Sequence, residues 1–487
     1  MAFDSSKRLI APCVTACPAA IDVPRYIGYV ERGQFPEAHA VVREAIPLPM
    51  ACGLICYRPC EPWCRRGIME QPIAINAIKR AAVEHGEQHF EVAPASPTGK
   101  RVAIVGGGPA GLTAAYYLAT RRGHRVTLFD ANSELGGQLR VGLPKYKVPR
   151  DRLRREVADA TSTRVKVRAS ERVNSLEPLL ESHDAVLLAI GHGRSVPLEV
   201  PGADLPGVRF AADFLRDVNL GKEPRAGKQV VIIGGNNVAI DAARCAVRLG
   251  AQTTVAFDGP KEQAKAYDFE IAAAVHEGVE FAPLLRAVVI ARAGKRLRVR
   301  LERLEVAGAD EVGRPIVRAT GEIKALDTDI VLVSVGEKAA VPSSWPVSVK
   351  PNGFIKVEAS TCRTSRDCVF ACGDAVTGPD SIVEAMAQGK KAAQAIDRFL
   401  GGDGDIDERF APEAGAEMAM PVHLAEQGKS VVAMPLLPVA ARRKSFALVE
   451  QGYSKDEAIA EARRCIRCDL WRLQVPEVWP TSRREQS

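Results

Sequence analysis

Arg101-Val102-Ala103-Ile104-Val105-Gly106-Gly107-Gly108-Pro109-Ala110-Gly111 decides how this chain is organised. The first five residues are an apolar run of the kind that becomes a buried strand. The glycine loop follows, then a helical stretch, Leu112–Arg122, then a second strand-like run, Arg125–Phe129, closed by Asp130. A bare G-x-G-x-x-G is common. Strand, glycine loop, helix, strand and terminal acid in that order mark a dinucleotide-binding unit. Gly106 permits the tight turn, Gly108 lets the backbone approach a pyrophosphate, and Gly111 lets helix and strand pack closely. The helix N-terminus offers unpaired N–H groups to the phosphates, and Asp130 is placed for a ribose. A purely structural glycine turn would need neither the second strand nor its acid.

Working toward the C-terminus, the unit repeats. Lys228–Ile233 reads as a strand, Gly234-Gly235-Asn236-Asn237-Val238-Ala239 as its loop, Ile240–Gly250 as its helix, and Thr253–Phe257 as a strand ending in Asp258. Asn236 replaces the middle glycine and puts a side chain where pyrophosphate should lie. The site is therefore read as nicotinamide-binding, with a degenerate, merely structural domain as the alternative. Asp327–Gly336 reads as a further strand, followed by Asp367–Asp374 and a helix-like stretch, Ser381–Leu400. The pattern then weakens until Ser454 and Glu457, which fit a capping box, open a helix running into Cys465-Ile-Arg-Cys468.

Toward the N-terminus, residues 1–95 read as helical. Proline opens two of the helices, at Pro24 and Pro36, as it often does, and Ile73–Val83 has helical apolar spacing. Cys52-Gly-Leu-Ile-Cys56-Tyr-Arg-Pro-Cys60-Glu-Pro-Trp-Cys64 places a cysteine at every fourth position, and Cys13 and Cys17 precede it. Thiols this dense in a large chain without a signal peptide point to metal rather than disulfides; spacing alone permits zinc or iron–sulfur. Cys245, Cys362, Cys368 and Cys372 read as small core residues. None forms a C-x-x-C or C-x4-C pair, so thioredoxin reductase-type disulfide exchange is excluded.

At 487 residues the chain is too long for one core. The expected division is a helical domain at 1–95 and a discontinuous first nucleotide domain at 96–205 and 341–400. A second nucleotide domain follows at 206–340, and a C-terminal extension at 401–487. The fold class is α/β, with two Rossmann-like domains behind a small α-helical one. No apolar run reaches the roughly 20 residues of a membrane span, and the first ten residues lack a signal-peptide core, so a cytoplasmic location is expected. Net charge is +7. Basic residues gather at 140–168, read either as a solvated helix face or as a docking patch for an acidic redox partner. No nucleic-acid-binding motif is present.

These motifs together resemble the two-dinucleotide flavoproteins. More narrowly they resemble the iron–sulfur flavin subunit of bacterial glutamate synthase and its relatives, including the N-terminal half of dihydropyrimidine dehydrogenase. The resemblance implies that FAD lies on Gly106, Gly108, Pro109, Ala110, Gly111 and Asp130. Gly136-Gly137-Gln138-Leu139 would lie beside the flavin, Ala189-Ile-Gly191 at the crossing between domains, and Gly373-Asp374 at the flavin's ribityl and phosphate. Gly234–Ala239 and Asp258 would hold the nicotinamide nucleotide. NADPH users of the family carry Tyr-Arg-Arg after the second strand; here the place reads Phe257-Asp258-Gly259. An acid there accepts the ribose 2′-hydroxyl of NAD and repels a phosphate, so NAD(H) is expected over NADP(H).

A family C-x2-C normally precedes the C-x3-C-P that is here Cys13–Pro18. Its equivalent, Cys465 and Cys468, stands at the other end of the chain. Eight cysteines are the requirement for two [4Fe–4S] clusters. The resemblance assigns Cys13, Cys64, Cys465 and Cys468 to one cluster and Cys17, Cys56 and Cys60 to the other. Relatives take a Glu or Gln as the fourth ligand of the latter, at a position matching Lys79. An ammonium has no lone pair to give, so Cys52 is expected to substitute. His192 reads as an ordinary loop histidine, and no catalytic side chains are evident, as expected when cofactors carry the chemistry.

The expected function is electron transfer between NAD(H) and a partner. The partner would be a 2-oxoacid or aldehyde oxidoreductase, a glutamate synthase large subunit, or ferredoxin. The alternatives are a glutamate synthase small subunit proper using NADPH, a structural subunit with a dead nicotinamide site, and an autonomous diaphorase-type reductase.

Overall fold

The computed structural model describes residues 10–469 apart from 89, 91, 94, 162, 163, 223, 225 and 413–429. After the short helix Pro12–Thr15, which carries Cys13, come four longer ones: Val23–Glu31, Phe35–Ala45, Pro49–Ile55 and Ile75–His85. The first three have proline in their first turn, where the missing N–H costs nothing. Their apolar faces pack together with Tyr26, Ile27, Val41, Ile78 and Ala81 fully buried. This core runs without a break into that of the first nucleotide domain.

The first glycine loop rises from a five-stranded parallel sheet. Its strand order is Val369–Ala371, Ala185–Leu188, Arg101–Val105, Arg125–Phe129 and Val165–Arg168. The edge strand Val369–Ala371 comes from far along the chain. Between Leu188 and Val369 the chain builds a second five-stranded parallel sheet, ordered Val208–Phe210, Ile330–Val333, Gln229–Ile233, Gln252–Phe257 and Glu280–Pro283. The two crossings between the sheets pair with each other, Arg194–Ser195 antiparallel to Glu337–Lys338. In both sheets the glycine loop therefore leaves the carboxyl end of a central strand, where α/β folds place ligands.

A three-stranded antiparallel sheet, Leu285–Ala293, Arg296–Ala309 and Pro315–Thr328, was not anticipated. Its signal was present: Leu297, Val299 and Leu301 are buried while Arg298 and Arg300 face out, a period of two.

Part of the charge of the basic stretch 140–168 is used inside the molecule, while Arg154, Arg155, Arg164, Lys166 and Arg168 remain exposed. Arg152 pairs with Glu84, and Arg155 with Glu87 at 3.0 Å, joining helix Arg150–Thr161 to helix Ile75–His85. Lys147 sits 2.6 Å from both Asp241 and Glu270. Arg150 donates to the carbonyls of Leu139, Leu143 and Val148.

The Ser454–Glu457 capping box forms in both directions. Helix Lys455–Ala462 then packs on Val23–Glu31 and Ile75–His85, returning the end of the chain to its beginning. No single helix among the described residues is long and apolar enough to cross a membrane.

Candidate active site: one nucleotide cavity beside two groups of cysteines

The first glycine loop is shaped by contacts that admit no side chain. A Cβ on Gly111 would lie 1.9 Å from the Gly106 carbonyl oxygen, so helix and strand touch there. Gly137, at φ +50°, faces Gly108 across the loop, and a Cβ on it would lie 2.8 Å from Gly108 Cα. Asp130 Oδ2 accepts the Gly107 N–H at 2.8 Å, while Oδ1 takes Asn132 N at 2.7 Å.

A cavity of about 1130 Å³ opens over this loop. Gly106, Gly108, Pro109, Ala110, Asp130, Gly137, Gln138, Leu139, Gly373 and Asp374 line it; Gly111 and Gly136 stand behind. The volume exceeds the roughly 300–1,000 Å³ of an ordinary small-molecule pocket.

The second loop faces the same cavity through Asn236, Asn237 and Val238. Asn236 does not block it. Its backbone is extended, at φ −104°, and its side chain turns inward. Oδ1 accepts the Ala239 N–H at 3.0 Å and the Ser334 hydroxyl at 2.7 Å, while Nδ2 donates to the Ser334 carbonyl at 3.1 Å. The residue is the N-cap of helix Asn237–Arg248, which frees the space expected to be lost. Gly234, Gly235, Ala239 and Asp258 lie outside the lining, and Asp258 is exposed.

His192 is more than a loop histidine. Nδ1 lies 2.8 Å from Asp374 Oδ2 and Nε2 lies 2.9 Å from Glu337 Oε2. Bonding to two carboxylates needs both ring nitrogens protonated. Burial lowers its pKa, but Asp374 and Glu337 outweigh that and carry it up to about 10. The imidazolium thus ties the return crossing to the Gly373-Asp374 turn. Cys372, expected in the core, is buried yet also lines the cavity.

Sequence patterning missed the segment that closes the cavity. Met434, Leu436, Arg442, Leu448, Val449 and Glu450 form part of its wall. The segment is held by Leu437 N–H to the Val449 carbonyl at 2.8 Å and Val449 N–H to the Tyr146 carbonyl at 2.9 Å. Apart from the four-residue helix Val439–Arg442 it lacks periodicity, because the rest is held by isolated bonds to distant residues.

The eight cysteines fall into two groups. Cys13, Cys64, Cys465 and Cys468 line one small cavity with Trp63 and Pro12. Burial pushes the Cys465 thiol up to about 12 and Cys468 to about 11, and neighbouring thiols add to the rise. Cys17, Cys52, Cys56 and Cys60 interact with one another or with Lys79, whose Nζ lies 3.0 Å from Cys52 Sγ. The hydrogen bond from Cys52 lowers the Cys56 thiol to about 5.

Packed thiols that repel one another as thiolates need a positive centre to be stable when deprotonated, which is what bound metal provides. Among the described residues no three His, Cys, Asp or Glu side chains close around a single ion. Cys56, Tyr57 and Arg58 also line the large nucleotide cavity. Tyr57 stacks on Tyr267 of the second nucleotide domain, ring centroids 5.6 Å apart.

Known proteins match both the N-terminal and the central part of the chain. Residues 7–90 match the family described as dihydropyrimidine dehydrogenase domain II, 4Fe-4S cluster. The chain is 34% identical to the NADP(+)-dependent formate dehydrogenase subunit beta of Moorella thermoacetica, covering 94% of this chain and 70% of that one. It is 32% identical to the NADPH-Fe(3+) oxidoreductase subunit beta of Geobacter sulfurreducens, covering 94% and 75%. With the glutamate synthase [NADPH] small chain of Mycobacterium tuberculosis it shares 31% identity over 82% of this chain and 88% of that one. The structure of Mycobacterium tuberculosis FprA in complex with NADPH superposes with a TM-score of 0.55 at 20% identity, covering 65% of this chain and 87% of that one. That likeness concerns the fold alone. With residues 100–389 matching as well, this iron–sulfur flavoprotein belongs to the pyridine nucleotide-disulphide oxidoreductase family.

Proposed function

We propose that this chain is an electron-transfer subunit working between a nicotinamide nucleotide and a partner redox protein. The observation that carries the reading is the shared cavity: both glycine loops and Cys56 line it. Gly106, Gly108, Pro109, Ala110 and Asp130 would hold FAD, with Gly137–Leu139 and Gly373-Asp374 around it. Asn236, Asn237 and Val238 would hold the nicotinamide nucleotide. When bound, FAD supplies the conversion of a hydride's electron pair into single electrons. Cys17, Cys52, Cys56 and Cys60 would hold the cluster nearer the flavin. Cys13, Cys64, Cys465 and Cys468 would hold one farther out, beside half-exposed Trp63.

For the nucleotide we propose NAD(H). The relatives named above carry NADP or NADPH in their names, but Asp258 stands at the end of strand Gln252–Phe257, where a 2′-phosphate would meet its charge. The inward cap of Asn236 speaks against a dead nicotinamide site. A glutamate-forming complex remains a second reading, supported by the 31% identity to a glutamate synthase small chain. Anaerobic titration tests the proposal: NADH bleaches the flavin band at lower concentration than NADPH, and iron analysis gives about eight atoms per chain, as two [4Fe–4S] clusters require. No bleaching with either nucleotide would overturn it. Co-purification from the native host, with identification of the bound subunit, separates the two readings of the partner.

A further inference from the structure

Lys79 differs from most buried cations among the described residues. Arg25 pairs with Glu44, Arg43 with Glu408, Arg80 with Glu84 and Arg248 with Glu277. Lys79 is 5% exposed, and among the described residues no carboxylate lies within ion-pair distance of it. Its bonded neighbour is Cys52 Sγ, at 3.0 Å, on a residue with no exposed surface. Cys17, Cys56 and Cys60 act on it, or it on them, through space. A buried ammonium without a counter-charge is strongly disfavoured; the Glu61 carboxylate acts on Lys79 only through space, and the charge in direct contact with it is that of the thiol group.

We infer that Lys79 is the charge-balancing residue of the Cys17–Cys52–Cys56–Cys60 group, hydrogen-bonded to Cys52 and raising the reduction potential of the cluster held there. The inference rests on the iron–sulfur reading of that group. Reduction of a cluster adds one electron and moves no bond or proton. The thiolate-bound centre becomes more negative, and a fixed positive charge stabilises that state more than the oxidised one. Net charge and hydrogen bonds to sulfur are among the factors that set such potentials. Burial keeps the charge from being screened by salt. Beside the other group, Arg467 is bonded to Asp469 at 3.0 Å and Arg65 acts on Cys468 through space, whereas the 3.0 Å contact of Lys79 with Cys52 is direct. The cysteine group bordering the nucleotide cavity is therefore the one tuned to draw an electron inward. The residue at position 79 is a positioning and tuning residue, not a catalytic one.

The test compares holoprotein carrying Lys79→Met, Lys79→Leu or Lys79→Arg with the unaltered protein, in redox titrations followed by electron paramagnetic resonance. In Lys79→Met and Lys79→Leu, the reduced-to-oxidised ratio of the flavin-side cluster at a fixed potential falls at least tenfold, a shift of about 59 mV for one electron. The second cluster stays where it was, and Lys79→Arg restores the original value. Unshifted potentials in neutral variants that retain their full iron would overturn the inference.

A second measurement needs no variant to fold. In unaltered protein grown with 15N-lysine, pulsed resonance of the reduced cluster shows a 15N coupling; its absence would also overturn the inference. Iron content and two cluster signals in the unaltered protein test the underlying reading separately. An iron-free unaltered protein would therefore sink the proposed function rather than the role of Lys79 alone.

Discussion

Glu156→Gln probes a contest between burial and hydrogen bonding at the seam between the helical domain and the first nucleotide domain. Glu156 is buried at 8% exposure, and its carboxyl oxygens accept Met50 N–H at 2.5 Å and Ala51 N–H at 2.8 Å. It thereby caps helix Pro49–Ile55, which carries Cys52, from outside the domain. Two amide donors favour the ionised form, but burial outweighs them and pushes the carboxyl up to about 8.

The folded protein then keeps this proton across a range in which the unfolded chain, with an ordinary carboxyl near 4.3, has lost it. Stability conferred by the group is complete below about pH 4 and is lost as pH rises toward about 8. The loss is about 1.4 kcal/mol per pH unit, or roughly 2.7 kcal/mol between about pH 5.5 and 7.5. Glutamine does not titrate, but it turns an NH2 toward one of the two amides, costing about 1–3 kcal/mol at any pH. Glu156→Gln is therefore less stable than the parent at about pH 5.5 and equal or more stable at about pH 7.5. Anaerobic urea unfolding followed by circular dichroism measures the gap. A gap that does not change with pH would refute the reasoning. It would mean that the amides, helped by water in the adjoining cavity of about 620 Å³, keep the carboxylate ionised.

Three further outcomes are expected. Truncation after residue 460 removes Cys465 and Cys468 and halves the iron content; full iron in the truncated protein would dissolve the Cys13–Cys64–Cys465–Cys468 group. Glu277→Gln destabilises the second nucleotide domain by about 3–5 kcal/mol, because Arg244 and Arg248 are left buried without their shared partner; thermal unfolding reads this. Burial raises the Glu277 carboxyl, but Arg248 and Arg244 outweigh it and hold it near 2, so this stabilisation is present above about pH 4.5 and is lost toward pH 2. Asp258→Arg shifts the preference from NADH toward NADPH by at least tenfold in kcat/KM, since it replaces a repulsive charge with a phosphate-binding one; an unchanged ratio would remove Asp258 from nucleotide selection.

The glycine loops were legible because a strand, a tight turn and a helix start are local events encoded within a few residues. The dense cysteine spacing was legible as a metal site, but the division into two groups came from the family resemblance, and the structure brings Cys13, Cys64, Cys465 and Cys468 to one small cavity. What escaped notice depended on residues far apart in sequence. His192 meets Glu337 and Asp374 only because the two crossings run side by side. The cavity wall at 434–450 offers only the four-residue helix Val439–Arg442 as a local signal, since the rest is held by single bonds to distant residues. Asn236 was legible as a departure, but not in its direction. Ser334, some hundred residues on, turns its side chain inward.

The meeting of Cys13 and Cys64 with Cys465 and Cys468 also sets a schedule for maturation. Cys17, Cys52, Cys56 and Cys60 emerge from the ribosome early and within a short stretch, so that group can be filled during synthesis. The other group waits for about 400 further residues, roughly 20–80 s at ordinary elongation rates. During that interval Cys13 and Cys64 are unmatched thiols open to oxidation or to the wrong metal. The same docking of helix Lys455–Ala462 that brings Cys465 and Cys468 to Cys13 and Cys64 also follows directly on the segment that walls the nucleotide cavity, so both parts of the site are completed by the last residues made.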